Sequence, residues 1–252
     1  MRWFLPLAAV QISQAQDLYD SEVAFADDTI QHFDASDESN SYVSCFGGCA
    51  DGNHTITERR LMYDPQGHIA SCRVYGNVYK FAYYYIDLMI GKDHVQRTSV
   101  IMDTGSSVLA FPCKGCHNCG TTHLDTPLDH HLSSTITQVT CGGSGGCGRG
   151  SSCKGGLCTY YQGYTEGSSI SGQYFEDWVH LGDPLQHNPP VRVRFGCHST
   201  ETNLFKTQRA NGIIGIGPTN GRSPSIIEQL FSSEWVDKHV MSICIAEYGG
   251  RL

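Results

Sequence analysis

Residues 99–112 read S-V-I-M-D-T-G-S-S-V-L-A-F-P. A mostly apolar run leads into Asp103-Thr104-Gly105, two serines follow, and a second apolar run leaves. A carboxylate that does chemistry needs a fixed position, hydrogen bonds and a dry wall behind it. A strand running into a tight glycine turn supplies all three. Gly105 permits the positive φ that such a turn often needs. Thr104, Ser106 and Ser107 carry hydroxyls able to donate to the Asp103 carboxylate. The same tripeptide also suits an ordinary acidic turn between two strands, so the surrounding sequence has to decide.

Upstream, Val74 to Ile90 (V-Y-G-N-V-Y-K-F-A-Y-Y-Y-I-D-L-M-I) is rich in β-formers with partial alternation. Gly91-Lys92-Asp93 reads as a turn, and His94 to Met102 as the strand that feeds Asp103. Downstream, residues 159–181 hold two apolar or aromatic strands flanking Tyr164-Thr165-Glu166-Gly167-Ser168, a β-hairpin with a small tip. Residues 191–197 (V-R-V-R-F-G-C) alternate, placing Arg outward and Val or Phe inward. Asn211 to Gly217 (N-G-I-I-G-I-G) is an apolar run broken by glycines. A helix is predicted over S-P-S-I-I-E-Q-L-F, with Ser223 as N-cap and Pro224 at its first position. One more strand is expected over Val240 to Ala246. With 28 Gly, 13 Tyr and little long helical periodicity, the chain reads as mainly β.

The net charge of -8 comes from 17 basic and 25 acidic residues, with no Lys/Arg cluster. Nucleic acid is therefore not an expected partner, because phosphate binding needs a concentrated basic surface. No stretch is long and uncharged enough to span a bilayer; Phe81 to Ile90 is too short and contains Asp87.

Residues 1–15 begin with one Arg, continue apolar and end on small residues, with Ser13 and Ala15 placed for cleavage. They read as a signal peptide whose apolar stretch is short and holds Pro6. Residues 16–73 form an acidic leader and a small Cys-containing segment with Cys45, Cys49 and Cys72. Asn53 heads the single N-glycosylation sequon. Residues 113–158 carry Cys113, Cys116, Cys119, Cys141, Cys147, Cys153 and Cys158 among glycines. Secretory entry favours reading this stretch as a disulfide-stapled insertion. The alternative is zinc with His117 as a further ligand, although the spacing departs from the usual two-plus-two pattern. The pairing itself is not given by the sequence.

The strand hairpin, D-T-G-S-S, a Tyr-bearing hairpin about 60 residues later, I-I-G-I-G and a short helix occur in one order. That order resembles the N-terminal lobe of the pepsin-like aspartic proteases over about residues 74–252. F-P-C-K-G-C-H-N-C-G is similar to the cysteine-rich insertion of the plasmepsin V-type subgroup. So are Y-T-E-G-S-S-I-S-G, F-G-C-H, N-L-F-K-T-Q-R-A-N-G-I-I-G and S-I-C-I-A-E-Y-G-G.

The resemblance implies a mainly β, pepsin-like acid-protease N-terminal lobe with a cysteine-rich insertion. It implies an aspartic-type endopeptidase of the secretory pathway (endoplasmic reticulum or Golgi) or a secreted one. Exported or effector proteins would be cleaved at motifs containing Arg and Leu. Asp103 matches the first catalytic aspartate, with Thr104 and Gly105 completing its loop. Tyr164 matches the flap tyrosine. Glu166, with Gly167 beside it, and Gln208 match the groups that bind a substrate Arg. A carboxylate and an amide suit the forked donors of guanidinium. No cofactor and no metal are implied.

Three departures from the pattern stand out. Pepsin has Trp seven residues after its catalytic Asp, hydrogen-bonded to the flap Tyr; here that position is Ala110, as the subgroup also lacks Trp, and a differently held flap is expected. A cysteine follows the tyrosine in the plasmepsin V-type flap, whereas this chain has Thr165. The family's chemistry uses two aspartates sharing one proton, because two like charges in contact cannot both ionise. Asp103 is the single Asp in a D-[TS]-G motif. The expectation is an incomplete chain, inactive alone, whose partner carboxylate comes from a missing C-terminal lobe or a second copy. The resemblance implies a C-terminal membrane anchor in a full-length form. The rival expectation is a non-catalytic secreted cysteine-rich peptide-binding or inhibitory module.

Overall fold

Short β-branched and aromatic runs separated by glycine turns become strands because their side chains pack on a pleated surface. The computed structural model describes residues 70–143, 146–182, 189–219, 224–246 and 249–252. They belong to one unit, Leu61–Leu252. In chain order its strands are β1 (Arg73–Asn77), β2 (Tyr83–Ile90), β3 (Gln96–Asp103), β4 (Leu109–Pro112), β5 (Thr137–Gln138) and β6 (Ser152–Lys154). Then come β7 (Leu157–Gly163), β8 (Ser169–Leu181), β9 (Val191–Glu201), helix α1 (Leu204–Thr207) and β10 (Gly212–Gly215). Helix α2 (Ile226–Ser232), β11 (Cys244–Ala246) and β12 (Gly249–Arg251) complete them. The fold is mainly β, as the sequence implied. The signal peptide at 1–15, Asn53, Cys45, Cys49 and nearly all of the 16–73 leader lie outside the described residues.

β2, β3, β10, β4, β9 and β8 pair in succession, and β8 pairs back onto β2, so the strands close a hydrogen-bonded ring. β10 runs parallel to β3 and antiparallel to β4, and so separates the two strands that flank Asp103. Leu109 and Phe111 on β4 and Ile214 on β10 join one core, with Phe111 and Phe195 rings 4.9 Å apart. Val108, Ala110 and Ile213 point the other way into a second core with Tyr160, Ile170, Tyr174 and Phe205. Burial on both faces explains why V-L-A-F and I-I lack the alternation of a half-exposed strand.

Several local expectations change. The run 74–90 is two antiparallel strands rather than one, because Asn77 turns the chain: its Oδ1 accepts from the N–H groups of Tyr79 and Lys80 at 2.8 and 2.9 Å. The β2–β3 pair still delivers Asp103. α2 is capped by Ser225, whose side chain accepts from the Glu228 N–H at 3.3 Å. Ser223 lies outside the described residues. The strand expected over 240–246 is confined to β11, paired with β12.

Disulfides join Cys113 to Cys197, Cys116 to Cys119, Cys141 to Cys153 and Cys147 to Cys158. The disulfide reading of the cysteine-rich stretch therefore holds. Cys113, however, pairs outside that stretch and fastens its start to β9. Leu128 is buried in the main core and β5 pairs with β8, so this stretch is woven into the lobe.

Candidate active site

Asp103 ends β3, and three neighbouring backbones hold the loop that follows it. The Ile216 N–H donates to the Asp103 carbonyl, the Gly217 N–H to the Ser106 carbonyl and the Gly215 N–H to the Val108 carbonyl, each at 2.8 Å. Glycine is required here by proximity. A Cβ on Gly215 would come within 2.4 Å of Val108 N, and one on Gly217 within 2.5 Å of the Thr104 carbonyl oxygen. The I-I-G-I-G run is thus the backbone clamp on the D-T-G-S-S loop.

The carboxylate is set by one backbone donor. Asp103 Oδ1 accepts the Gly105 N–H at 2.8 Å. Gly105 does not need a positive φ; a Cβ there would sit 3.2 Å from Asp103 Oδ1, so its bareness opens the approach to the carboxylate. Among the described residues, none of the Thr104, Ser106 and Ser107 hydroxyls bonds the carboxylate. Thr104 is exposed, and Ser106 Oγ and Asp103 Oδ2 are buried without a hydrogen-bond partner.

Tyr164, in the turn of the β7–β8 hairpin, lies near enough to Ser106 and Asp103 for both to act on its phenol. Burial pushes its phenol proton affinity well up; the nearby Ser106 hydroxyl opposes that, and the Asp103 and Glu166 carboxylates add to it. Ser106 stands near enough to act electrostatically on the phenol, yet the two hydroxyls do not meet hydrogen-bond geometry. The Tyr164 ring lies 5.2 Å from the Phe205 ring. Ala110, where pepsin has Trp, is wholly buried in the same aromatic cluster. The Tyr160 ring fills space over Gly196, whose Cβ would come within 2.4 Å of it. Aromatic bulk thus reaches the β7–β8 hairpin turn from β7, β8 and α1 instead of β4.

Glu166 and Gly167 are exposed at the hairpin tip, where Gly167 adopts φ +91° and its N–H donates to the Tyr164 carbonyl at 3.0 Å. Gln208 follows α1. Its Nε2 donates to the Ala210 carbonyl at 3.1 Å. No hydrogen bond joins Glu166 to Gln208 among the described residues; they stand on two segments that touch through Tyr164 and Phe205.

Behind α1 lies a buried polar group that the sequence did not single out. Glu201 accepts the Gly120 N–H at 2.8 Å, and its carboxylate pairs with His198 Nδ1 at 2.7 Å and His123 Nε2 at 3.3 Å. His123 Nδ1 lies 3.1 Å from the Gln208 carbonyl. Burial alone would raise the Glu201 carboxyl, but the two histidines and the Gly120 N–H outweigh it and hold it at about 2. Burial lowers His198 against the pull of Glu201. Cys119, His198 and Glu201 present ligand atoms within 4.8 Å of one another, but the Cys119 sulfur is bonded to Cys116 and the carboxylate is already satisfied. Asn211 is likewise buried, exchanging hydrogen bonds with Ser99 and Asp125 that pin β3 to the start of β10. F-G-C-H and A-N-G-I-I-G contain His198 and Asn211, but the pattern gave those two residues no roles.

An aspartate on a loop clamped between β3, β10 and β4, near a tyrosine-bearing hairpin, defines the N-terminal lobe of a pepsin-like aspartic protease. Residues 84–252 match the family model described as xylanase inhibitor N-terminal, and the chain belongs to that family. It is similar to Aspartic protease 5 of Toxoplasma gondii, 46% identical over 196 residues that cover 71% of this chain and 20% of that protein. Plasmepsin V of Plasmodium falciparum is 40% identical over 185 residues, 71% of this chain and 30% of that protein. Aspartyl protease family protein 1 of Arabidopsis thaliana is 33% identical over 168 residues, 61% of this chain and 32% of that protein. The matched part of the chain spans less than a third of the length of the first two relatives and about a third of the last.

Proposed function

We propose that this chain supplies the first aspartate of an aspartic-type endopeptidase acting in the secretory pathway on exported or effector proteins, at motifs containing Arg and Leu. The observation that carries this reading is Asp103: one carboxylate oxygen is fixed by the Gly105 N–H, while the other is buried and unpartnered by any described residue. Such a carboxylate is suited to act on a water as general base once a second carboxyl group shares its proton. That second group is proposed to come from a C-terminal lobe, or from Asp103 of a second copy. Tyr164 would cover the peptide, and Glu166, Gly167 and Gln208 would receive an arginine side chain. The disulfides among the described residues support an oxidising compartment. Asn53 is the proposed glycan site, and the chemistry calls for no cofactor or metal.

Cleavage of an Arg- and Leu-containing peptide tests the reading. The purified monomer is expected to leave the peptide intact. Activity that rises with the square of concentration and vanishes in Asp103→Asn would identify the self-paired form. Cleavage that persists in Asp103→Asn would sink the catalytic role. A second reading, a non-catalytic peptide-binding or inhibitory module, is favoured by the matched family's description as xylanase inhibitor N-terminal. It predicts peptide binding that is indifferent to Asp103→Asn.

A further inference from the structure

The tip of the β7–β8 hairpin is fastened to the turn that leads into α1. The Asn203 Nδ2 group donates to the Gly167 carbonyl at 2.8 Å. The Leu204 N–H donates to Ser168 Oγ at 3.2 Å, and Ser168 is buried although it sits at the tip. The Ser169 N–H donates to Thr202 Oγ1 at 2.8 Å, and the Thr202 N–H to the Ser169 carbonyl at 3.0 Å. Next to Leu204, the Phe205 ring packs at a tilt against the Tyr164 ring, their centroids 5.2 Å apart.

Asn203 itself adopts φ 48°, ψ -121°, a conformation that L-residues other than Gly rarely occupy. It makes no side-chain cap to α1, so its amide is committed to the flap. At the far end of α1, the Gln208 N–H donates to the Leu204 carbonyl, and the Gln208 carbonyl faces His123. Glu166 and Gln208 are thus at the two ends of one fastened unit: hairpin tip, turn 202–204 and α1.

We propose that Asn203 and Phe205 are positioning residues that latch the hairpin tip onto α1. They thereby fix the span between Glu166 and Gln208 and set the preference for a guanidinium over an ammonium on the bound peptide. The preference rests on the role proposed above for Glu166 and Gln208, whereas the latch stands on its own hydrogen bonds and ring contact. Guanidinium is a planar fork that needs acceptors at a set spacing, while ammonium is a point charge that tolerates a shifted pair. Loss of the latch therefore costs arginine more than lysine.

Hydrogen exchange on the purified chain tests the latch without any catalysis. Asn203→Asp keeps the size and helix-entry chemistry of the residue but removes the donor facing the Gly167 carbonyl. In Asn203→Asp and in Phe205→Ala, amides 164, 167 and 169 are expected to exchange about tenfold faster or more. Phe205→Tyr should restore near-native protection, and the β2 and β3 amides report that the fold is intact. In parallel, fluorescence anisotropy compares one labelled Leu-containing peptide carrying Arg with the same peptide carrying Lys. Asn203→Asp is expected to erase the Arg preference through weaker Arg binding, leaving Lys binding unchanged. Native flap exchange in both variants overturns the latch. Faster exchange with an unchanged Arg/Lys ratio overturns its effect on selectivity. A wild-type chain with no Arg/Lys preference overturns the roles of Glu166 and Gln208, and exchange alone then judges the latch.

Discussion

Glu201 shows how far one buried charge can reach. Its carboxylate joins the loop after Cys119, through Gly120 and His123, to the end of β9, through His198. Removing the carboxylate leaves buried donors such as the Gly120 N–H and the His198 ring without their acceptor, at a cost of about 1–3 kcal/mol. Glu201→Ala is expected to lose that amount in urea denaturation at neutral pH. The acid side of the pH dependence follows from two shifts of defined sign. His198 is held below the ordinary histidine value by burial, so the unfolded chain binds its proton first and stability falls as pH drops below about 6.5. Glu201 sits at about 2 against 4.5 when free, so its stabilisation is present above 4.5 and is lost as pH falls from there toward 2. Urea midpoints of the native chain should therefore be flat between about pH 6.5 and 10, decline steadily into acid, and fall again above about 10, where the buried phenols of Tyr85, Tyr160 and Tyr164 resist the ionisation that the unfolded chain allows. Glu201→Gln should flatten the part of that decline below pH 4.5; an unchanged slope there would remove Glu201 from the account.

At the scale of elements, the clamp on Asp103 depends on two glycines with no room beside them. Gly215→Ala is expected to destabilise the lobe by about 1–3 kcal/mol, the usual cost of overpacking. It should also release the Val108 and Gly217 region in hydrogen exchange while the β7–β8 hairpin keeps its protection. The sequence made much of this neighbourhood legible: apolar runs ending in D-T-G, the Tyr hairpin and the alternation of Val191 to Phe195 all became the expected strands. What it could not show was β10 lying between β3 and β4, because that pairing is fixed by residues more than a hundred positions apart. The four-residue α1 was equally hidden, being too short to carry a period. Gly105 was read for its backbone freedom, whereas its value lies in the space it leaves for Asp103 Oδ1. Glu201 passed unnoticed because an isolated Glu after a strand ordinarily signals a surface.

For the whole molecule, the disulfides differ in what they restrain. Cys113–Cys197 closes a separation of 84 residues, and Cys147–Cys158 one of 11. Chain-entropy arguments give the longer closure about 2 kcal/mol more effect on the unfolded state. Cys113→Ser/Cys197→Ser is expected to lower stability by about 2–5 kcal/mol, and by more than Cys147→Ser/Cys158→Ser does, as read by denaturant midpoints at constant slope. Equal losses would place the long bond's role in local packing instead.

The insertion of β10 between β3 and β4 also has a consequence in time. Gly215 lies opposite Asp103, 215 − 103 = 112 residues later. A ribosome adding roughly 5–20 residues per second needs about 6–22 s to cover that distance. Through that interval the nascent chain holds two apolar strands without the one that belongs between them. The carboxylate loop therefore cannot acquire its clamped shape until β10 has been made, long after its own residues have left the ribosome.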